Sequence, residues 1–173
     1  MIIFVAGVYG SGKTTICSRL AADLGYLSVS ASELIRARRG SATWNSSKKT
    51  KDIERNQSIL IEAVAELKTC YSNIILDGHF ALIDSEAKIT ILPKNVFSKL
   101  NIDKIILIES DTHEVKLRLR TRDKMEWDEP LLKELMDAER NNALAYHEET
   151  GIPLQIFNNK NYQAIVSYLT KKE

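Results

Sequence analysis

The hydrophobic and polar positions of this chain follow two periods that alternate from one end to the other. Short, nearly continuous apolar runs rich in β-branched residues are typical of strands buried on both faces of a sheet. Between these runs, apolar residues recur every three or four positions, as on one face of a helix. The alternation predicts an α/β fold, a three-layer α/β/α domain with a five-stranded parallel sheet. The predicted strands span residues 2–6, 26–30, 73–76, 104–108 and 152–157.

Helix start and stop signals divide the segments between these strands. Gly25 and Gly151 follow the first and the longest predicted helix, and a glycine commonly ends a helix. Asp111 or Ser110 is expected to cap the helix after the fourth strand, and the helical pattern breaks from Lys124 onward. The predicted helices run from the first glycine-rich loop to residue 24 and over residues 31–39, 52–70, 93–100, 111–123, 128–150 and 162–171.

Two stretches of the chain lack a clear period. Residues 40–51 are polar and include Trp44, Lys48, Lys49 and Lys51, and this composition predicts a surface loop. Residues 80–92 mix apolar and polar positions without a helical or strand spacing, so no single element is predicted there.

The first loop carries a phosphate-binding motif. Residues 7–14 read GVYGSGKT, which fits the pattern G-x-x-x-x-G-K-[ST] between a strand and a helix. Glycines let the backbone wrap a phosphate, and the loop N–H groups and the helix N-terminus supply partial positive charge. In this chemistry Lys13 reaches the terminal phosphates and the Thr14 hydroxyl binds Mg²⁺. The sequence therefore predicts a nucleoside triphosphate site. The residues assigned to it are Gly7, Gly10, Ser11, Gly12, Lys13, Thr14, Thr15 and, after the last strand, Asn158.

Composition narrows the class of protein. The chain has 173 residues, 44% of them hydrophobic, which suits one domain with a substantial core. Its net charge of +1 gives no basic excess that would call for a nucleic-acid partner. Cys17 and Cys70 lie in apolar helical patterns and are predicted to be buried free thiols in a reducing compartment. No segment approaches the ~20 apolar residues that span a bilayer, and the N-terminal run is too short for a signal sequence, so a cytoplasmic protein is expected.

Two large classes of phosphate-loop protein fit the chain poorly. A guanine-specific switch protein reads its base with Asn-Lys-x-Asp, whereas residues 159–162 read Asn-Lys-Asn-Tyr. Large ring ATPases are longer and end a strand in adjacent Asp and Glu, whereas Asp77 is followed by Gly78. These differences favour a phosphotransferase, and ATP as its donor.

The order of motifs after the loop resembles that of the nucleoside monophosphate kinases. Residues 30–36, Ser-Ala-Ser-Glu-Leu-Ile-Arg, stand where that family has Thr/Ser-x-Gly-Asp-x-x-Arg. The third strand ends in Asp-Gly-His at residues 77–79, and Arg118, Arg120 and Arg122 occupy the place of the arginines that flank the family's lid. The Asp-x-His element and the lack of a large lid domain are most similar to the archaeal-type adenylate kinases.

The resemblance implies a reaction and a division of the chain. It implies a P-loop nucleotide kinase that transfers the γ-phosphate of Mg·ATP to a nucleoside monophosphate such as AMP, with small nucleotides as its partners. One domain spans residues 1–173, with an acceptor-binding helical part at about 31–70 and a short lid-like segment at about 118–130. The implied catalytic residues are Lys13, Arg118, Arg122 and Asp77, the magnesium ligands are Thr14 and Asp77, and the acceptor residues are Ser30, Ser32, Arg36 and His79.

Other functions stay open from the residues alone. Asp77 can serve as the general base of a P-loop kinase whose acceptor is a hydroxyl of a sugar, acid, nucleoside or antibiotic. A regulatory or assembly ATPase would use ATP to order residues 40–51 for a protein partner. Two departures from the family concern the acceptor: no arginine lies between Arg55 and Arg118, and Ser32-Glu33 replaces the family's Gly-Asp.

Overall fold

The computed structural model describes residues 1–40, 49–50, 52–124 and 126–171, without the side chains of Lys49 and Asp123. The predicted loop over residues 40–51 therefore lies largely outside the described residues, including Trp44, Lys48 and Lys51. The strands are β1 (Ile2–Ala6), β2 (Leu27–Ser30), β3 (Lys49–Thr50), β4 (Ile74–Asp77), β5 (Ala81–Asp84), β6 (Ile89–Ile91), β7 (Lys104–Glu109) and β8 (Leu154–Asn158). The helices are α1 (Lys13–Leu24), α2 (Ala31–Arg39), α3 (Ile53–Cys70), α4 (Lys94–Leu100), α5 (Thr112–Asp123), α6 (Glu129–Thr150) and α7 (Tyr162–Thr170).

The central sheet has five parallel strands in the order β2-β4-β1-β7-β8. All five strands predicted from the apolar runs are present, which confirms the α/β class and the five-stranded parallel sheet. β1 lies in the middle and pairs with β4 on one side and β7 on the other. The carboxyl ends of these three strands therefore meet at one edge of the sheet, where ligands bind in such folds.

Two strands of a small second sheet, β5 and β6, lie in the stretch in which no element was predicted, and its third strand, β3, lies in the predicted surface loop. This sheet has the order β3-β5-β6, with β5 and β6 antiparallel and β3 parallel to β5. The carboxylate of Asp84 accepts hydrogen bonds from the backbone N–H groups of Glu86 and Lys88 in the connecting turn, and Ala87 has a φ of 68°. Strands of three or four residues joined by a side-chain-stabilised turn leave too few positions for a period to emerge.

The core lies on both faces of the central sheet because successive side chains of a strand point to opposite sides. Ile2, Phe4 and Ala6 of β1 pack on the face covered by α3, α4 and α6. Ile3 and Val5 pack on the other face against α1 and α7. Because neither face of β1 meets solvent, its apolar run is continuous rather than alternating, as the sequence pattern indicated.

One cysteine prediction is wrong. Cys17 is 1% exposed on the buried face of α1, as expected. Cys70 is exposed, because it is the last residue of α3 and the chain turns at the surface there. An apolar spacing that continues to the end of a helix does not by itself bury the last turn.

The segment between β7 and β8 forms two helices. The side chain of Asp111 accepts from the N–H groups of His113 and Glu114 and caps α5, and Asp128 caps α6 through the N–H of Leu131. Val115 and Leu119 of α5 pack with residues of α6 and with Val8 of the first loop. The predicted lid-like segment is thus attached directly to the phosphate-binding motif. In the part of the chain that the structure describes, no helix has the length and apolar character needed to cross a bilayer.

Candidate nucleotide and acceptor site

The phosphate loop, residues 7–12, connects the C-terminal end of β1 to the first turn of α1. Gly7, Gly10 and Gly12 have φ angles of 144°, 77° and 96°. A Cβ atom at Gly7 would lie 2.5 Å from the carbonyl oxygen of Ile108, so only glycine fits there without moving β7. Gly12 precedes α1, and within the described residues no side chain caps the helix. The first N–H groups of α1 are therefore free of side-chain acceptors and face the position of an anion.

Lys13 holds a positive charge inside this loop. Its side chain is 6% exposed, and its Nζ donates to the carbonyl oxygens of Gly7 at 2.5 Å and Val8 at 3.1 Å. The same Nζ lies 3.8 Å from Oδ1 of Asp77. These partners compensate the burial of an ammonium group, which is costly without them. The arrangement keeps the ammonium group inside the loop. Phosphate oxygens could accept its hydrogen bonds in place of the two carbonyl oxygens.

Asp77 and Thr14 supply oxygen atoms next to the loop. Asp77 ends β4 in register with Val5 of β1, and its Oδ2 accepts a 3.0 Å hydrogen bond from Oγ1 of Thr14. Carboxylate and hydroxyl oxygens are suitable ligands for Mg²⁺. Among the described residues no cluster of three or more His, Cys, Asp or Glu side chains could hold a metal ion by itself. The pair therefore fits a Mg²⁺ ion that takes its remaining ligands from phosphates and water.

Two arginines of α5 line a cavity that also includes residues of the phosphate loop. Nη1 of Arg118 donates to the carbonyl oxygen of Gly10 at 3.1 Å and to Oγ of Ser110 at 3.4 Å, and its Nη2 donates to Glu114 at 3.1 Å. Arg122 follows four residues later, is exposed, and lines the cavity as well. Arg118 therefore contacts the phosphate loop, and Arg122 lines the same cavity.

One cavity of about 620 Å³ contains most of the predicted site residues. It extends from the phosphate loop to a pocket between α2, α3 and α4. The predicted site residues that line it are Gly10, Ser11, Gly12, Lys13, Thr14, Thr15, Ser30, Ser32, Asp77, His79, Arg118 and Arg122. Within the described residues, a donor phosphate and a second small molecule therefore have room in a single space.

The pocket between α2, α3 and α4 is apolar with a few polar groups. Its polar lining includes the Ser30 and Ser32 hydroxyls, 2.9 Å apart, and two buried amides, Asn56 and Gln57, which are 2% and 6% exposed. Within the described residues, Oε1 of Gln57 is buried and has no hydrogen-bond partner. The His79 ring lies against the ring of Tyr9, with centroids 4.5 Å apart. Such a pocket suits a planar molecule with a few polar edges.

Arg36 is not among the residues that line the cavity. It lies one helical turn after Ser32 and is exposed, while Ile35 faces the core. Its neighbour Arg38 forms a two-point ion pair with Glu66. Arg39 donates to Asn56 at 3.2 Å and to Asp52 at 3.0 Å. The assignment of Arg36 to an acceptor phosphate stays a prediction.

Asn158 is also outside the cavity, and its neighbour contacts the loop instead. Asn158 is exposed, and its Oδ1 accepts from the N–H of Lys160 within a turn. Nδ2 of Asn159 donates to the carbonyl oxygen of Ser11 at 3.2 Å. Because side chains alternate at the end of a strand, a one-residue difference decides which asparagine reaches the loop. No sequence pattern indicated which of the two asparagines would reach the loop.

Glu139 was not singled out in the sequence, yet it lies beneath the phosphate loop. This residue of α6 is 1% exposed. Its Oε1 accepts from the N–H of Gly7 at 2.8 Å, and its Oε2 accepts from the N–H groups of Phe80 at 2.8 Å and Ala81 at 2.7 Å. Burial raises the pKa of Glu139 to about 7, although Lys13 and the three backbone donors act in the opposite direction. Burial of the Tyr9 phenol, together with the negative charge of Glu139, raises the pKa of that phenol.

A signal for Glu139 exists in the helical pattern. It occupies the apolar stripe of α6, and the other buried residues of that stripe are Leu132, Leu135, Ala143 and Tyr146. A carboxylate at a core position of an otherwise amphipathic helix needs buried donors, which marks it as a residue with a specific partner.

Comparison with known proteins identifies the family. A family profile described as AAA domain matches residues 6–131. The adenylate kinase of Methanothermobacter thermautotrophicus is 28% identical to this chain, and the alignment covers 94% of the chain and 92% of that enzyme.

Solved structures share the fold. A shikimate kinase from Bacteroides thetaiotaomicron superposes with a TM-score of 0.66 at 16% identity and covers 99% of both chains. A gluconokinase from Sinorhizobium meliloti superposes with a TM-score of 0.53 at 12% identity and covers 96% of this chain and 86% of that one. At these identities the likeness describes the architecture. Since the family profile covers most of the sequence, the protein belongs to this AAA-domain family, and it is a P-loop kinase, an ATP-dependent phosphotransferase.

Proposed function

We propose that this P-loop kinase is a nucleoside monophosphate kinase of the adenylate-kinase type. It transfers the γ-phosphate of Mg·ATP to an AMP-like acceptor and yields two nucleoside diphosphates. The observation that carries the proposal is the single cavity of about 620 Å³ that joins the phosphate loop to an amide-bearing pocket. The adenylate kinase that is 28% identical over 94% of this chain supports the same acceptor class.

In this proposal the donor half neutralises and orients phosphates. Phosphoryl transfer between two anions depends mainly on positioning and on compensation of charge. Lys13 exchanges its loop carbonyls for the terminal phosphate oxygens of ATP, and Thr14 and Asp77 hold the magnesium ion. When bound there, Mg²⁺ would supply positive charge that offsets the negative charge of the phosphates. Arg118 and Arg122 approach the transferring group from α5.

In this proposal the pocket between α2, α3 and α4 binds the base of the acceptor nucleotide. Gln57 has an amide whose buried oxygen lacks a partner among the described residues, and amides pair well with an amino group beside a ring nitrogen. The apolar lining, which includes Leu92 and Phe97, suits the faces of a planar ring. Ser30, Ser32 and His79 lie at or just after the carboxyl ends of β2 and β4 and are assigned to the ribose and phosphate of the acceptor. Arg36 would reach that phosphate from the rim of the pocket.

A kinase with a small hydroxyl acceptor is the second candidate. The cationic side chains that line the cavity in the described residues are Lys13, Arg118 and Arg122, and all three belong to the donor half. Among the described residues, the pocket between α2, α3 and α4 has no cation in its lining, which favours an acceptor that carries no phosphate. Asp77 would then act as the general base for the attacking hydroxyl.

One assay separates these candidates. Purified protein with Mg·ATP is given AMP, CMP, UMP, GMP, shikimate or gluconate in turn, and ADP formation is compared with an acceptor-free sample. We expect AMP or another monophosphate to raise the rate at least tenfold, with two diphosphates as products. Acceleration by shikimate or gluconate alone supports the hydroxyl candidate, and hydrolysis indifferent to every acceptor contradicts both. Lys13→Ala should abolish the activity, whereas Lys99→Ala, at an exposed lysine of α4, serves as the matched control.

A further inference from the structure

The carboxylate of Glu139 connects two segments that are far apart in the sequence. Gly7 begins the phosphate loop, and Phe80 and Ala81 follow the Asp77-Gly78-His79 turn. One carboxylate oxygen accepts from Gly7 and the other accepts from both Phe80 and Ala81, at distances of 2.7 to 2.8 Å. The two segments carry the groups proposed to bind phosphate and Mg²⁺, so their relative position determines the geometry of that site.

Gly7 is restrained on its other side as well. A Cβ atom at this position would lie 2.5 Å from the Ile108 carbonyl oxygen, so the backbone of Gly7 already touches β7. Its N–H points to Glu139, and its carbonyl oxygen accepts from Nζ of Lys13. A displacement of Gly7 would therefore move the carbonyl that locates the Lys13 ammonium. On the other side, Gly78 donates to Val5 at 3.0 Å, which ties the Asp77 turn to β1.

We propose that Glu139 is a positioning residue that fixes the phosphate loop relative to the Asp77-Gly78-His79 turn, so that Lys13 and Asp77 act on the same bound triphosphate. Glu139 touches neither nucleotide nor metal in this role, and it acts through the backbone of Gly7, Phe80 and Ala81. The inference rests on triphosphate binding by the loop and is independent of the acceptor. Only a side chain with two acceptor oxygens can serve both segments at once.

The variant Glu139→Gln tests this role because glutamine keeps the volume but has one acceptor oxygen. Either Gly7 or the Phe80–Ala81 pair then loses its acceptor and faces an NH₂ group. Binding of Mg·ATP and of inorganic tripolyphosphate is measured by titration calorimetry without any acceptor. We expect both dissociation constants to rise at least tenfold in Glu139→Gln and to stay within twofold in Glu134→Gln, an exposed glutamate of the same helix. A cooperatively folded Glu139→Gln protein that binds Mg·ATP like the wild type overturns the proposal.

A measurement on the unmodified protein decides the matter if the variant does not fold. Amide hydrogen exchange of Gly7, Phe80 and Ala81 is followed by NMR with and without Mg·ATP. Because one carboxylate connects the three N–H groups, nucleotide binding should slow exchange at Phe80 and Ala81 together with Gly7. Slowing at Gly7 alone shows that the loop and the turn respond separately, and it refutes the role of Glu139. Neither measurement depends on the acceptor, so failure of the proposed monophosphate kinase activity is recognised separately.

Discussion

Lys13, Thr14 and Asp77 come together because β1 and β4 are parallel neighbours. Asp77 pairs with Val5, two residues before the phosphate loop, so the register of the sheet brings its carboxylate to the loop. Lys13 and Thr14 follow on the first turn of α1, and the three side chains are linked by contacts of 3.0 and 3.8 Å. Lys13 and Asp77 are both largely buried, so their charges interact more strongly than they would in bulk water.

Arg36 gives a prediction at the scale of a single residue. In the proposed reaction its guanidinium, exposed on α2 one turn after Ser32, extends to the acceptor phosphate. A charge-assisted hydrogen bond of this kind contributes roughly 1.5–3 kcal/mol, so Arg36→Ala should raise the acceptor KM about tenfold or more. The KM for ATP should change less than twofold. Steady-state kinetics with both substrates varied provides the measurement.

Arg38→Ala is the matched control, because Arg38 lies on the same helix and is bound to Glu66 on the surface. It should leave both KM values unchanged. An unchanged acceptor KM in Arg36→Ala would assign Arg36 to the solvated surface and would remove the only arginine of α2 proposed for the acceptor.

At the scale of elements, the phosphate loop depends on its packing against β7. Gly7 combines a φ of 144° with a Cβ position 2.5 Å from the Ile108 carbonyl oxygen. Gly25, the end of α1, has a φ of 68° and open space around its Cβ position. Gly7→Ala should therefore reduce the free energy of unfolding by roughly 3 kcal/mol or more, since backbone strain and a steric clash add. Gly25→Ala should cost about 1–2 kcal/mol, from the left-handed conformation alone.

Urea unfolding of both variants checks this difference. Equal losses in the two variants would show that the loop can move away from β7 at little cost, and the close approach at Gly7 would then be unimportant for stability.

The elements that the sequence predicted correctly are those with local signals. β1 and α1 are defined by an apolar run, a glycine motif and Gly25, all within 25 residues. β5 and β6 were missed because strands of four and three residues owe their existence to pairing with each other and to the Asp84 turn. Glu139 and Asn159 were missed for a related reason. Their contacts with the loop cross 132 and 148 residues of sequence, so no spacing rule identifies the partner, although the apolar stripe of α6 marks Glu139 itself.

At the scale of the whole molecule, the fold joins the phosphate loop and the pocket between α2, α3 and α4 in one cavity. The loop end is cationic through Lys13, Arg118 and Arg122, and the other end is apolar with buried amides. Separation of charge in this way suits two ligands that meet at their phosphates and differ in what lies beyond them. The arrangement therefore favours transfer between two bound molecules over simple hydrolysis.

The stability of the folded protein should depend on pH through Glu139. Its pKa rises from 4.5 to about 7 on folding, so the folded state holds the proton more tightly than the unfolded state. The resulting stabilisation is complete below pH 4.5 and is lost as the pH rises through 7. The shift corresponds to about 3 kcal/mol. Glu139→Gln lacks this titration, so the stability of the wild type relative to the variant should fall by about 2–3 kcal/mol between pH 5 and pH 8.

Urea unfolding of both proteins at several pH values measures that difference. A difference that stays constant, or one that grows with pH, would mean that the carboxylate is ionised in the folded protein throughout this range and that its three backbone donors outweigh burial.

The claim that one cavity receives both nucleotides is tested most directly with a bisubstrate ligand. Diadenosine pentaphosphate joins two adenosines through five phosphates, so a protein with adjacent donor and acceptor sites binds both ends of a single molecule. Because the second end binds intramolecularly, we predict one ligand per chain and a dissociation constant roughly 10²-fold or more below that of ATP in calorimetry. Binding no tighter than that of ATP, with AMP unable to compete, would contradict the account.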